Sequence, residues 1–367
     1  MIEAIRADSL AIPFKQSFRH ASAARVSTQT IWVTASGSGV IGYGEGCPRE
    51  YVTGESVKSA QAFVAARAGT WCEGIRDLDD LKDWARAHER EIDANPAAWT
   101  AVELAMLDLF GKAQGMPVES LLGLPPLTGR FRYTAVLGDA PPKEFEGQLA
   151  RYRQAGFRSF KIKLAGDAQR DLAKVQALQA AAIAPEAVRA DANNLWSDAD
   201  VATEALLSLQ FRFFALEEPL RAGDYAGMAR MAQALDSKII LDESMARPRQ
   251  LDDLSGAPDR WLANLRVSKM GGLLRSLEFL QAARRKGVRI IVGAHVGETS
   301  LLTRAGLAAA AAAGDALVAQ EGAFGTHLLA HDVVEAPLMF GAGGILDATA
   351  LPFGSAPGFG LSIRDVT

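Results

Sequence analysis

Residues 159–164 read Ser159-Phe160-Lys161-Ile162-Lys163-Leu164. In an extended chain successive side chains point to opposite faces, so Lys161 and Lys163 share one face while Phe160, Ile162 and Leu164 share the other. The same form recurs downstream. Short apolar segments over residues 187–191, 213–217, 239–242 and 264–269 end in Asp191, Glu217, Asp242 and Lys269. These ends recur about every 26 residues, the length of one strand plus one helix, which predicts repeated βα units and a parallel sheet. With residues 133–138, 289–294 and 317–320 the expected strands number eight. The predicted fold class is therefore α/β, a (β/α)8-type, modified TIM barrel over residues 126–330.

Upstream the pattern differs. Residues 2–12, 28–35 and 40–45 read as strands of an antiparallel meander, with Thr30, Trp32 and Thr34 alternating against Ile31 and Val33 and a turn at Gly37-Ser38-Gly39. Residues 18–27 are expected to form a long loop, the kind of segment that often carries function. Apolar residues follow at helical spacing over 56–90, and Pro96 opens another helix through Trp99, Val102, Leu104, Leu107 and Phe110 toward Gly111 and Gly115. Residues 1–125 are thus expected to be an α+β capping domain. The Gly- and Pro-rich tail, 331–367, is expected to pack back on it.

The 367 residues are 49% hydrophobic and 22% charged, the balance of a globular protein, and the formal net charge is −4. Such a charge lacks the basic field needed for nucleic acid or an anionic membrane, so a small molecule is the expected partner. Charges at Glu3, Arg6 and Asp8 interrupt any export signal, and the alanine-rich run 308–313 is too short to span a bilayer. Two cysteines, Cys47 and Cys72, form no disulfide framework, and a cytoplasmic location is expected.

In a barrel of this kind the chemistry sits at the C-terminal ends of the strands. Alone, Asp191 or Asp242 reads as a helix N-cap, Glu218 competes with Glu217 for the inward position, and the paired lysines read as a solvated edge. Several strands ending in matching charges are hard to produce by capping. Three convergent carboxylates call for a cation, and hard oxygen donors suit Mg²⁺, with Mn²⁺ as a substitute. Repulsion between Lys161 and Lys163 should lower a lysine pKa toward that of a base, and Lys269 would stand across the barrel. A proton α to a carboxylate is so weakly acidic that its removal needs both a base and a metal that stabilises the enediolate. Lysines on opposite faces of the α-carbon would racemise or epimerise it; one active lysine would leave cycloisomerisation or elimination. His295, His327, Glu298 and Glu321 also follow strand ends, where structural and site roles both remain open.

These residues resemble the enolase superfamily, in the branch of muconate-lactonising enzymes, dipeptide epimerases and o-succinylbenzoate synthases. The likeness is carried by Gly42-Tyr43-Gly44-Glu45, residues 107–112, Lys161-x-Lys163, Asp191-Ala192-Asn193, Glu217-Glu218-Pro219, Asp242-Glu243-Ser244 and Lys269-Met270-Gly271-Gly272. It implies Mg²⁺ held by Asp191, Glu217 and Asp242, an acid/base pair of Lys163 and Lys269, and Lys161 supporting the substrate carboxylate. It also implies a cap whose loops near Arg19 and Tyr51 meet the distal part of the substrate. His295 and Glu321 are further candidates for substrate contact, and Asn193, Glu243 and Glu298 for support of the site. The implied activity is racemisation, epimerisation or cycloisomerisation of a small carboxylate, an amino-acid derivative or a muconate-like acid. A lyase on the same site is the alternative, with a non-catalytic binding protein behind it, and a homo-oligomer is expected. Two departures narrow the choice. Arg266 stands where a mandelate-type site has an Asp, and Glu321-Gly322-Ala323 replaces the Asp-x-Asp with which dipeptide epimerases hold an ammonium group.

Overall fold

The computed structural model describes residues 2–20, 23–254, 256–322 and 324–364, with residues 16–20, 23 and 24 described by their backbone only. The chain opens with β1 (Ala4–Leu10), β2 (Pro13–His20), β3 (Ala23–Ser27), β4 (Thr30–Gly37) and β5 (Val40–Gly46). β4 pairs antiparallel with β1 and β5, while β2 and β3 form a separate hairpin. Residues 18–27 are therefore not a long loop; residues 21 and 22 of that stretch lie outside the described residues. The hairpin lacks the apolar alternation of a core strand because it is a two-stranded ribbon away from the main sheet, with Val26 67% exposed.

β5 lies directly on the helix Pro96–Gln114. A Cβ at Gly44 would stand 1.9 Å from the Ala101 carbonyl oxygen, and one at Gly46 equally close to that of Ala97, so only glycine permits this approach. The alternation that turns these glycines to the helix turns Glu45 the other way. Its carboxylate accepts the Thr299 N–H at 3.1 Å and the Thr299 hydroxyl at 2.6 Å, which ties the meander to a barrel helix.

A short strand, β6 (Arg130–Arg132), leads into eight parallel ones: β7 (Ala135–Leu137), β8 (Phe160–Lys163), β9 (Val188–Asp191), β10 (Ala215–Glu217), β11 (Lys238–Leu241), β12 (Trp261–Leu265), β13 (Arg289–Val292) and β14 (Leu317–Gln320). Each pairs with its sequence neighbours. A single parallel bridge between Tyr133 and Gln320, with the Thr134 N–H donating to the Gln320 carbonyl at 2.8 Å, joins the first strand to the last. β15 (Ile345–Asp347), in the tail, pairs with β6. The tail also reaches the first part of the chain, where the Phe359 N–H donates to Asp108 Oδ1 at 2.8 Å.

Ala215, Ile240, Leu262 and Ile291 form an apolar cluster of their own. Each lies two residues before Glu217, Asp242, Asn264 or Gly293, so the strand alternation that builds this layer also points the next residues into the barrel mouth. One expected boundary moves. Residues 264–269 are not one strand: β12 ends at Leu265, and Lys269 rides on a helical turn, Val267–Met270. Gly271 (φ 79°) and Gly272 (φ 105°) end that turn in conformations that favour glycine, and the next helix, Leu273–Arg285, starts at once. Glu103 of the cap accepts the Leu274 N–H at 3.0 Å, placing a carboxylate at that helix's N-terminus. Among the described residues no helix is long and apolar enough to cross a membrane.

Candidate active site

The strand alternation brings Lys161 and Lys163 of β8 to the same side, and the in-register pairing of β8, β9 and β10 sets Lys163 beside Asp191 and Asp191 beside Glu217. Lys161 Nζ donates to Glu217 Oε2 at 2.9 Å and Glu321 Oε2 at 2.7 Å, and lies 3.3 Å from Asp191 Oδ2. Lys163 Nζ reaches Asp191 Oδ2 at 2.5 Å and Asn193 Oδ1 at 2.9 Å. On the far side, Lys269 Nζ donates to Asp242 Oδ1 at 2.8 Å and to the Asn264 carbonyl at 2.7 Å.

Glu217, not Glu218, faces the lysines. Glu218 has a positive φ of 39° and turns to accept the backbone N–H groups of Asp242 at 2.6 Å and Ser244 at 2.7 Å, which fixes where Asp242 stands. Glu243 is largely buried beside Asp242 and Arg266; burial and the Asp242 charge push its carboxyl up.

The expected lowering of a lysine pKa fails at Lys161. Burial acts in that direction, but the charges of Glu217, Glu321 and Asp191 outweigh it and hold the ammonium protonated well above its ordinary range. Burial of Asp242 is likewise overcome, by Arg266 and Lys269, which bring its carboxyl down to about 2. Asp191 is lowered against its burial by Lys163 and Lys161. Glu217 goes the other way: burial, aided by repulsion from Asp191, Glu321 and Asp242, raises it to about 7 despite Lys161.

Three residues that the strand pattern did not single out complete the network. Arg189 lies two before Asp191 and meets Glu321 Oε1 at 3.3 Å; Asn264 donates its amide to Glu217 Oε1 at 3.2 Å. Arg266 donates to Asp242 Oδ2 and lies 3.8 Å from Glu217 Oε1. The period-two rule was the available signal for Arg189 and Asn264, since both sit two residues from a mouth position.

The remaining candidates divide. Glu321 is held by Lys161 and Arg189, so its carboxylate is engaged within the network. His295 is buried; its Nδ1 is 3.2 Å from Glu298 Oε1, and burial together with Arg266, Arg49 and Lys269 holds the ring neutral. Glu298 also accepts the His295 N–H at 2.7 Å. Cys47, His295 and Glu298 bring potential ligand atoms within 4.8 Å of one another, amid the same positive charges. Tyr51 is 43% exposed on the helical turn Glu50–Thr53, with the Arg25 guanidinium 6.0 Å from its ring centroid. The backbone of Arg19 pairs with Ala24, and its side chain lies outside the described residues.

The donor set fits a divalent cation. Asp191 and Glu217 offer hard oxygens from paired positions of β9 and β10, Asp242 offers them from just past β11, and a guanidinium nitrogen already stands as a cationic substitute between two of the three.

Known proteins share this architecture. Residues 1–123 match the family model of the mandelate racemase / muconate lactonizing enzyme N-terminal domain, and residues 144–366 match that of the enolase C-terminal domain-like family. The chain is 28% identical over 278 residues to the N-succinyl-L-Arg/Lys racemase of Bacillus cereus, covering 73% of this chain and 72% of the relative. It is 26% identical over 314 residues to the L-Ala-D/L-Glu epimerase of Bacillus subtilis, covering 81% of each. The substrate-liganded structure of the Bacillus subtilis epimerase has the same fold, with a TM-score of 0.84 at 23% identity over 99% of both chains. So does a dipeptide epimerase from Methylococcus capsulatus complexed with Mg ion, with a TM-score of 0.79 at 24% identity over 99% of both chains.

Proposed function

Because the chain belongs to the mandelate racemase / muconate lactonizing enzyme family of the enolase superfamily, we propose that it is a racemase or epimerase that inverts the α-carbon of an N-acylated amino acid. The observation that carries the reading is the placement of Lys163 and Lys269 on opposite sides of the strand-end carboxylates, each within hydrogen-bond reach of one of them.

A divalent cation, Mg²⁺ by this reading, would be held by Asp191, Glu217 and Asp242 and would supply positive charge where the substrate carboxylate gains electron density. The lysines do the rest. Asp191 and Asn193 aim the Lys163 ammonium, while Asp242 and the Asn264 carbonyl aim that of Lys269. One amine, in its neutral form, takes the α-proton from one face as the other ammonium delivers a proton to the opposite face. Lys161, kept charged by its carboxylates, donates hydrogen bonds and does not act as a base.

Specificity follows from what is missing. With Glu321 tied to Lys161 and Arg189, and Ala323 following two residues on, the sequence after β14 offers no second carboxylate for a substrate ammonium group. An acylated nitrogen avoids that need, and the N-succinyl-L-Arg/Lys racemase of Bacillus cereus bears a name of this substrate class. The test is incubation with Mg²⁺ in D₂O of N-succinyl and N-acetyl amino acids beside free dipeptides, read by mass and chiral analysis. Deuterium with inversion in the acylated compounds alone is expected. Turnover of dipeptides alone, or deuterium without inversion, would overturn the assignment.

A further inference from the structure

Arg266 is the one cationic side chain of the network that touches two of the proposed cation ligands without belonging to the lysine set. The ion pairs at the strand ends join four carboxylates, Asp191, Glu217, Asp242 and Glu321, to five cationic side chains, Lys161, Lys163, Arg189, Arg266 and Lys269. A divalent ion placed among them leaves positive charge in excess, and repulsion would bear most on the cation nearest to it. The guanidinium cannot relieve that repulsion by losing a proton. It must move. Its present place is not a finished binding site, for Arg266 Nε is buried without a hydrogen-bond partner. Its surroundings leave it a direction: the side chain is 14% exposed at the barrel mouth.

We propose that Arg266 is an exchangeable occupant of the cation position, displaced when the divalent ion enters and then available to bind a second carboxylate on the substrate. The substrate class this selects is dianionic: an amino acid whose N-acyl group ends in a carboxylate, with the first carboxylate on the cation and the second on the guanidinium. The dianion part rests on the function proposed above; the displacement part does not.

Two measurements separate them. Mn²⁺ is titrated into the wild-type protein, Arg266→Met and Arg266→Lys, with free ion followed by electron paramagnetic resonance, a readout that needs no turnover. Removing a charge-assisted hydrogen bond that competes for Asp242 should tighten Mn²⁺ by about tenfold in Arg266→Met, with Arg266→Lys between. Unchanged or weaker binding in a folded Arg266→Met protein overturns the displacement, and Arg266→Lys checks the same point should the methionine variant not fold. With Mg²⁺ present, calorimetry then compares N-succinylglycine with N-acetylglycine. The dianion should bind about tenfold tighter to wild type, and Arg266→Met should abolish the difference. Equal binding of the two by wild type, or a preference that survives in Arg266→Met, overturns the dianion role. A tightened Mn²⁺ site in a protein that exchanges no α-proton would leave Arg266 as a gate and defeat only the proposed reaction.

Discussion

At the seam between cap and barrel, Glu45 and Glu103 are buried and meet backbone N–H groups or a hydroxyl, whereas at the strand ends Asp191, Asp242 and Glu321 are buried and meet lysines and arginines. The electrostatic outcome differs accordingly. Burial outweighs the hydrogen bonds at the seam and raises Glu45 to about 8 and Glu103 to about 7. At the strand ends cations outweigh burial and lower Asp242 to about 2. The seam carboxyls thus serve as hydrogen-bonding pegs that tolerate a proton, while those of the site are held as charges. Glu217 is the exception that joins the two groups, a site carboxylate pushed up to about 7, first by burial and then by its acidic neighbours. An added cation would relieve that repulsion.

The contrast can be broken in order of expected effect. Lys163→Ala or Lys269→Ala should lower the racemisation rate by about a thousandfold or more, since a positioned acid or base contributes on that scale, while calorimetry should still show Mg²⁺ binding. Full activity in either would remove that lysine from the acid/base pair. Asp242→Asn should weaken Mg²⁺ by about tenfold to a hundredfold; unchanged affinity would take Asp242 out of the ligand set. At the seam, Glu45→Ala leaves the Thr299 N–H and hydroxyl without their acceptor and should cost about 1–3 kcal/mol in chemical denaturation, with Mg²⁺ affinity untouched. A further effect concerns pH. The Glu45 carboxyl has a folded value near 8 against an ordinary 4.5, so the folded state binds its proton more tightly than the unfolded chain does. Its contribution is complete below about pH 4.5 and is lost as pH rises toward 8. The denaturation midpoint should therefore decline over that range and decline less in Glu45→Gln; identical slopes would mean that Glu45 stays ionised like the site carboxylates.

Much of the site was legible because two periodicities coincide: the alternation within a strand, and the recurrence of strand ends about every 26 residues in a βα repeat. Together they located Asp191, Glu217 and Asp242 at successive strand ends, with Lys161 and Lys163 on one face of the strand before them. What was not legible has identifiable physical causes. The state of Lys161 depends on Glu217 and Glu321, which lie 56 and 160 residues away, so the local pattern showed only the repelling neighbour Lys163. Lys269 looked like a strand end because Val267 continues the apolar run; the glycines at 271 and 272 instead permit an abrupt helical turn. The β2–β3 ribbon carries no buried alternation, so nothing distinguished it from a loop. Arg189 was passed over as an interior strand residue and Asn264 as the start of the expected strand 264–269, although both reach carboxylates of the site.

The most direct test of a two-lysine site is to offer each enantiomer of a turned-over N-acyl amino acid separately to Lys163→Ala and Lys269→Ala in D₂O with Mg²⁺. Each variant should fail to racemise yet exchange the α-proton of one enantiomer only, the two variants choosing opposite enantiomers. Exchange of both enantiomers by either variant, or of the same enantiomer by both, would contradict the placement of the lysines on opposite faces of the α-carbon.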